Sequence, residues 1–325
     1  MTLNIKQFIH HGIKKILICN IIYRILKEWR VYRSLKRKNY HFATGQRNRD
    51  TNIQDSLDYV QKVLLWYQQA MQVLNNDINV VGKKILEIGP GDSFAVALRF
   101  LQMGADEVVC IDKFYCERDK GYETVLYKEL EHKYHSTCLK DGLLPQDRFT
   151  YKYGKGIEQY SNMQNYFNLI VSMAVLEHIY EIDAAINAMD RMLQVGGVMA
   201  HRVDLRDHGM FSDFHHPLTF LTIHEFIYKR FSYHSGNPNR KLINWYKKKF
   251  ATLGNYEYKI LVTRVKNRNL EIFKEEIEYN TDYDDDDVDF ISIIRNDLIY
   301  DFKNLSNEEL LTTGVFIVAK KVKHR

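Results

Sequence analysis

Between residues 83 and 205, short apolar runs alternate with stretches of helical periodicity, and few folds accept that alternation. Strands are expected at 84–88 (KILEI), 107–111 (EVVCI), 148–152 (RFTYK), 167–172 (FNLIVS) and 197–203 (GVMAHRV). Helices are expected at 93–103, 117–137 and 181–193. Strands that return through helices pair in parallel, so the pattern predicts an α/β protein whose sheet carries helices on both faces. Two later strands read at 257–265 (EYKILVTRV) and 314–322 (GVFIVAKKV). Upstream, Leu57, Val60, Leu64, Tyr67, Met71 and Leu74 recur at helical spacing over 56–74, with Ser56 as the candidate cap. The acidic run at 282–287 (DYDDDD) reads as a solvated loop.

The first strand runs into a glycine turn, ILEIGPGDS (85–93). In a parallel sheet, ligands sit at the carboxyl ends of the strands, in the crevice this turn lines. Gly89 and Gly91 remove side chains where a ligand approaches the backbone, and Asp92 or Ser93 is placed to cap the helix that follows. The third glycine of a dinucleotide fingerprint is missing, which weakens a dehydrogenase reading. Glu87, just before the turn, would repel a pyrophosphate but suits a cationic ligand. Asp112 closes the next strand, where a carboxylate accepts from ribose hydroxyls. A cationic amino acid joined to a ribose describes S-adenosylmethionine.

These residues carry a resemblance. ILEIGPGDS followed by VVCID (108–112) resembles the first two motifs of the class I S-adenosylmethionine-dependent methyltransferases. FNLIVSMAVLEHI (167–179) and RMLQVGGVMAHRVDL (191–205) resemble the fourth strand, its loop and the fifth strand of that superfamily, in order. The resemblance covers about 56–325 and is strongest over 83–208. It implies a Rossmann-like, seven-stranded, mostly parallel sheet with an antiparallel last strand. It also implies an N-terminal helical region and a lid inserted before strand six. The cofactor implied is S-adenosylmethionine. Glu87, Gly89, Pro90, Gly91 and Ser93 would meet its methionine end, Asp112 its ribose, and Lys113, Gly156, Ile157 and Glu158 its adenine. Ser172, Met173, Ala174 and Glu177 would line the wall near the sulfonium. Asn168 stands where the family often has Asp and is read as a structural strand-end residue.

Methyl transfer to an alcohol needs a base as well as alignment. His178 follows the fourth strand, and Asp204 and His208 follow the fifth, so His178 or His208 is the candidate base with Asp204 assisting. His201, His215, His216, Asn239 and Arg240 are the candidate acceptor contacts. Asn239 and Arg240 are read either as ligands for an acceptor carboxylate or phosphate or as pins of their own loop. The spacing of His201, Asp204, His208, His215 and His216 also permits a metal site, but the reading taken is metal-free. The aromatic-rich segment at about 205–250 is expected to roof the acceptor site.

The chain is 45% hydrophobic and 27% charged, as a globular protein is. Four cysteines without a CxxC pair suit a reducing, cytoplasmic setting. Residues 1–49 hold twelve Lys or Arg and one acid, so of the net +5 this arm supplies +11 and the rest of the chain −6. The chain thus divides into a basic amphipathic arm (1–50) and a methyltransferase domain (51–325). The apolar run ILICNIIYRIL (16–26) is too short and interrupted to span a membrane. Two fates stay open for 1–40: peripheral contact with the inner membrane face, or packing on the body. An acidic body and the absence of an N/D-P-P-Y loop argue against nucleic acid. The expected activity is O-methylation of a sugar, glycan precursor or other small metabolite. A non-catalytic scaffold in a glycan assembly complex and an RNA methyltransferase are the alternatives.

Overall fold

The computed structural model describes residues 15–37, 52–75, 78–140, 142–160 and 163–323. Strands β1 (Lys84–Ile88), β2 (Glu107–Asp112), β3 (Phe149–Tyr153), β4 (Phe167–Met173) and β5 (Leu193–Asp204) pair in parallel. They are joined by β6 (Tyr256–Val265), β7 (Arg268–Lys274) and β8 (Thr312–Lys321) in the order β3-β2-β1-β4-β5-β8-β6-β7. β8 runs antiparallel to both β5 and β6. A mostly parallel sheet with an antiparallel last strand is what the resemblance implies, but the sheet has eight strands rather than seven. The eighth, β7, forms a hairpin with β6 at the sheet edge. It was missed because it is largely exposed and only Leu270 and Phe273 reach the apolar layers.

Each face of the sheet carries its own apolar layer, because successive strand residues point to opposite sides. Ile85, Val108, Cys110, Val171 and Ala200 lie under α2 (Ile53–Gln72), α3 (Ala95–Gln102) and α4 (Lys120–Tyr134). Leu86, Ile88, Ile170, Met199 and Val203 lie under α5 (Ile182–Met192) and the inserted segment. That segment joins β5 to β6 and contains α6 (Glu225–Ser232) and α7 (Ile243–Leu253). α2 starts earlier than expected: Asn52 caps it by accepting from the Asp55 N–H at 2.8 Å. Ser56 is buried instead, hydrogen-bonded to the Tyr122 hydroxyl at 2.6 Å.

The basic arm packs on the body over its described part, α1 (Leu17–Lys36). The rest of 1–50 lies outside the described residues. The inner face of α1 is mostly polar. Asn20, Arg24, Glu28 and Val31 recur at helical spacing and are all buried. Asn20 and Arg24 donate to the Met210 carbonyl, and Arg24 Nε donates to Asn20 Oδ1 at 2.9 Å. Glu28 accepts from the His234 and Ser235 N–H groups, the latter at 2.9 Å. The helix therefore clamps the inserted segment. Its outer face leaves Ile18, Ile22, Leu26 and Trp29 exposed.

The acidic run is not a solvated loop. Asp284 caps α8 (Asp285–Ile294) through the Asp287 N–H. Asp282 and Asp287 are buried, the first paired with Lys274 and the second with Lys266 and Arg268. The β6–β7 hairpin brings those bases over the acids, a long-range pairing that composition alone does not reveal.

Candidate active site

The turn after β1 is built by two left-handed glycines, Gly89 at φ 69° and Gly91 at φ 76°. A Cβ on Gly89 would stand 2.5 Å from Val175 Cγ2, so this position must be glycine for the β4 loop to pack against the turn. A Cβ on Gly91 would meet nothing within 4 Å, so the turn is open there to a ligand. Pro90 stiffens the link between them. The expected cap by Asp92 or Ser93 is not how α3 starts. Its cap residue is Phe94, whose N–H donates to the Tyr127 hydroxyl at 2.8 Å.

Glu87 is 6% exposed and accepts from the Cys110 thiol at 3.6 Å. Burial raises its carboxyl from 4.5 to about 7. On the adjacent strand end, burial likewise raises Asp112 to about 7, against the opposing pull of Arg118. The Asp112 Oδ2 accepts from the Tyr151 hydroxyl at 3.1 Å and lies 3.6 Å from Arg118 Nη2. Both contacts use Oδ2, which leaves Oδ1 for a ligand hydroxyl. Arg118 also donates to the Gly91 carbonyl at 2.6 Å and lies 3.8 Å over the Phe94 ring. Sequence reasoning missed this residue, which ties the first two strand-end turns together.

Lys113 follows Asp112, and burial lowers its ammonium against the charges of Glu158 and Glu28. The Glu158 carboxylate lies over Gly156, where a Cβ would meet its oxygens at 2.3 and 2.4 Å. Ile157 is buried in the apolar layer, so only its backbone remains to meet a ligand.

At the ends of β4 and β5 the predicted residues separate into three groups. Ser172 and His201 are paired across the strands and fully buried, with Ser172 Oγ 2.8 Å from His201 Nδ1. Burial lowers His201 to about 3, so it is neutral. Neither side chain is open to a ligand, which corrects the cofactor role given to Ser172 and the acceptor role given to His201. Met173 packs with the α2-side layer, and Ala174 turns the chain at φ 55°.

Asp204 is occupied chiefly by two arginines. It accepts from Arg206 Nε and Nη2 at 2.9 and 2.7 Å and from Arg264 Nη1 at 2.8 Å. Those partners hold it well below the usual carboxylate range. It clamps β5 to β6 through Arg264, and its charge also acts on the His208 imidazole, raising it against burial.

The third group is brought together. Glu177 and His178 lie on a short turn after β4, Leu176–His178. His208 comes from a loop wound round Asp207, which accepts from the Gly209, Phe211 and Ser212 N–H groups. His208 sits at φ 54°, its Nε2 3.8 Å from Glu177 Oε1. The His178 and His208 rings meet edge to face at 4.8 Å. Glu177 is 2% exposed; its Oε1 accepts from the Asp204 N–H at 3.2 Å, and Oε2 has no partner. Burial raises its carboxyl to about 8 and lowers the His208 imidazole. Glu177 thus groups with the two histidines. The Gly89–Val175 contact sets this group beside the glycine turn.

Asn239 and Arg240 are pins. Asn239 donates to the Leu176 and Ile179 carbonyls, both at 2.8 Å. Arg240 donates to the Phe220 and Ile223 carbonyls and pairs with Glu225. Asn239 thus holds the turn that carries Glu177 and His178, and Arg240 holds the inserted segment. His216 packs toward Phe290 of α8, and neither it nor His215 belongs to the Glu177 group.

No protein-family model and no curated protein matches the chain. Among solved structures it is similar to the CurJ carbon methyltransferase, at 12% identity and a TM-score of 0.39 over 81% of this chain and 55% of that one. An S-adenosylmethionine dependent methyltransferase from Mesorhizobium loti gives 11% and 0.40 over 75% and 93%. A Haemonchus contortus phospholethanolamine N-methyltransferase 2, in complex with phosphomonomethylethanolamine and S-adenosylhomocysteine, gives 15% and 0.41 over 84% and 61%. The chain spans 55% of the first of these structures. Likeness at this level carries no argument about activity, and the fold assignment rests on the strand order and polarity themselves.

Proposed function

We propose that the protein transfers a methyl group from S-adenosylmethionine to a hydroxyl of a sugar, glycan precursor or other small metabolite. One observation carries the reading. A buried carboxylate, Glu87, and a half-buried one, Asp112, end adjacent strands beside a turn open at Gly91, and a base-bearing group stands across the Gly89–Val175 contact. The donor set fits the cofactor: Glu87 for the amino acid cation, Asp112 Oδ1 for a ribose hydroxyl, and the backbone at Gly91 for close approach. When bound, the cofactor supplies an electrophilic methyl carbon on a sulfonium. The chain orients the acceptor and takes its proton. His208, whose imidazole is lowered by desolvation against the opposing charge of Asp204, is the proton acceptor, and its Nε2 lies 3.8 Å from Glu177 Oε1.

The test is calorimetry with S-adenosylmethionine, S-adenosylhomocysteine and NAD, followed by transfer of labelled methyl to sugars, lipid-linked sugars and RNA. Micromolar binding of the first two, none of NAD, and label in the sugar fractions are expected. No binding of either adenosyl compound would sink the reading in favour of a scaffold. Label confined to RNA would replace the acceptor class.

We further propose that the outer face of α1 rests on an anionic lipid surface. No helix among the described residues is long and apolar enough to cross a membrane. The outer stripe of Ile18, Ile22, Leu26 and Trp29 is flanked by exposed Lys27, Arg30, Arg33 and Lys36, the pattern of an interfacial helix. In vesicle flotation, the chain should rise with vesicles containing phosphatidylserine, and a Leu26→Glu/Trp29→Glu double variant should stay at the bottom. Equal behaviour of the two chains would remove the proposal.

A further inference from the structure

We propose that Glu177, His178 and His208 form a site for one divalent transition-metal ion. The use of that ion in activating an acceptor hydroxyl rests on the methyl-transfer reading, but its binding does not. One ligand atom from each of the three residues lies within 4.8 Å of the others. Two atoms on one ion with bonds of about 2.1 Å stand at most about 4.2 Å apart. Glu177 Oε1 and His208 Nε2, at 3.8 Å, already meet that limit. The third atom has only a few tenths of an ångström to move.

Three further observations point to an ion. Glu177 Oε2 is buried without a hydrogen-bond partner, in a side chain 2% exposed. A carboxylate oxygen left that way costs free energy unless something at the site takes it. His178 Nδ1 is 2.6 Å from the Gly236 carbonyl. As the donor of that bond it leaves Nε2 carrying the lone pair, the outer-shell arrangement that orients metal-ligating imidazoles. Finally, the His208 loop is fixed by Asp207, which is 1% exposed, so His208 is delivered to this point by a rigid support.

The ligand set selects the ion. Two imidazoles and one carboxylate suit Zn, Mn, Fe, Co or Ni rather than Ca or Mg, which prefer oxygen throughout. Three protein ligands leave positions for exogenous oxygens. A hydroxyl held there would be more acidic and would give its proton to bulk water while the two imidazoles hold the ion; His208 takes the proton itself only when the ion is absent. Adjacent hydroxyls on one acceptor would fill two positions, which favours a vicinal diol.

The experiment uses the full chain, stripped with a chelator and dialysed. It is titrated with CoCl2, ZnCl2, MnCl2 and MgCl2 by calorimetry, with the visible absorption of Co2+ recorded in parallel. One ion per chain is expected for the transition metals, with weak or no heat from Mg2+. His208→Ala and Glu177→Ala should each weaken cobalt binding by about 100-fold and change its absorption band. His216→Ala, outside the group, should leave both unchanged. Circular dichroism and S-adenosylmethionine affinity report whether each variant is folded, and His208→Gln provides a second variant of similar size. No stoichiometric binding to the parent chain would overturn the proposal, as would binding indifferent to both His208 variants in folded protein. Metal binding without cofactor binding would instead sink the methyltransferase reading and leave this site standing.

Discussion

The Glu87→Gln chain is expected to be more stable than its parent near pH 8 and to lose S-adenosylmethionine binding. Glu87 is buried, and burial raises its carboxyl from 4.5 to about 7. A carboxyl whose folded value lies above its unfolded one binds its proton more tightly in the folded chain. Its contribution to stability is then full at low pH and is lost as pH rises from the unfolded value through the folded one. By about pH 8 the ionised, buried Glu87 costs the fold on the order of 3 kcal/mol. Glutamine keeps the shape and an oxygen for the Cys110 thiol but carries no charge. The expected result is a melting temperature several degrees higher at about pH 8 and nearly unchanged at about pH 4, below the unfolded value of the carboxyl. In the same protein the cationic end of the cofactor loses its counter-charge, and affinity should fall about 100-fold. Scanning fluorimetry at the two pH values and calorimetry at the higher one decide it. A lower melting temperature at about pH 8, or parental affinity, would show that Glu87 is a structural carboxylate.

What the sequence disclosed and what it hid divide along physical lines. β1, β2, β4 and β5 were legible because parallel strands buried on both faces read as apolar runs; β3, half-buried at the sheet edge, showed through its aromatic and β-branched residues. Glu87 and Asp112 were legible because strand ends next to a glycine turn are fixed by local geometry. His201 was legible in principle: it alternates with Met199 and Val203, which point into one apolar layer. It was misread because it was counted with the polar residues that follow β5. Several of the misses are long-range pairings. Arg118 meets Gly91, twenty-seven residues away, and Arg264 meets Asp204, sixty residues away. Asp282 and Asp287 became core ion pairs only once β7 delivered its bases. Asp204 looks available beside the histidines; Arg206, two residues on, is a local sign of its pairing, whereas Arg264 is not.

The second large effect is expected far from the acceptor group. Glu28, on α1, accepts the His234 and Ser235 N–H groups. The next residue, Gly236, presents its carbonyl to His178 Nδ1. One carboxylate on the arm therefore holds the loop that orients a histidine of the site. Glu28→Ala removes the acceptor of two backbone donors at once, a loss of about 2–3 kcal/mol of local support. Amide exchange over residues 233–237 should rise by about 10-fold or more, because opening of that segment no longer breaks a charge-assisted contact. Cobalt affinity should fall by about 10-fold, the usual size of an outer-shell loss. S-adenosylmethionine affinity should change by less than about twofold, since Lys113 keeps Glu158 and the glycine turn is untouched. Glu28→Gln, which retains one oxygen, should fall between the two. Equal losses in cobalt and cofactor affinity would mean that α1 supports the whole crevice rather than this loop. Unchanged exchange at 233–237 would remove the coupling altogether. If the graded result holds, α1 connects its two faces: whatever engages the outer apolar stripe acts on a helix whose inner carboxylate sets the position of His178.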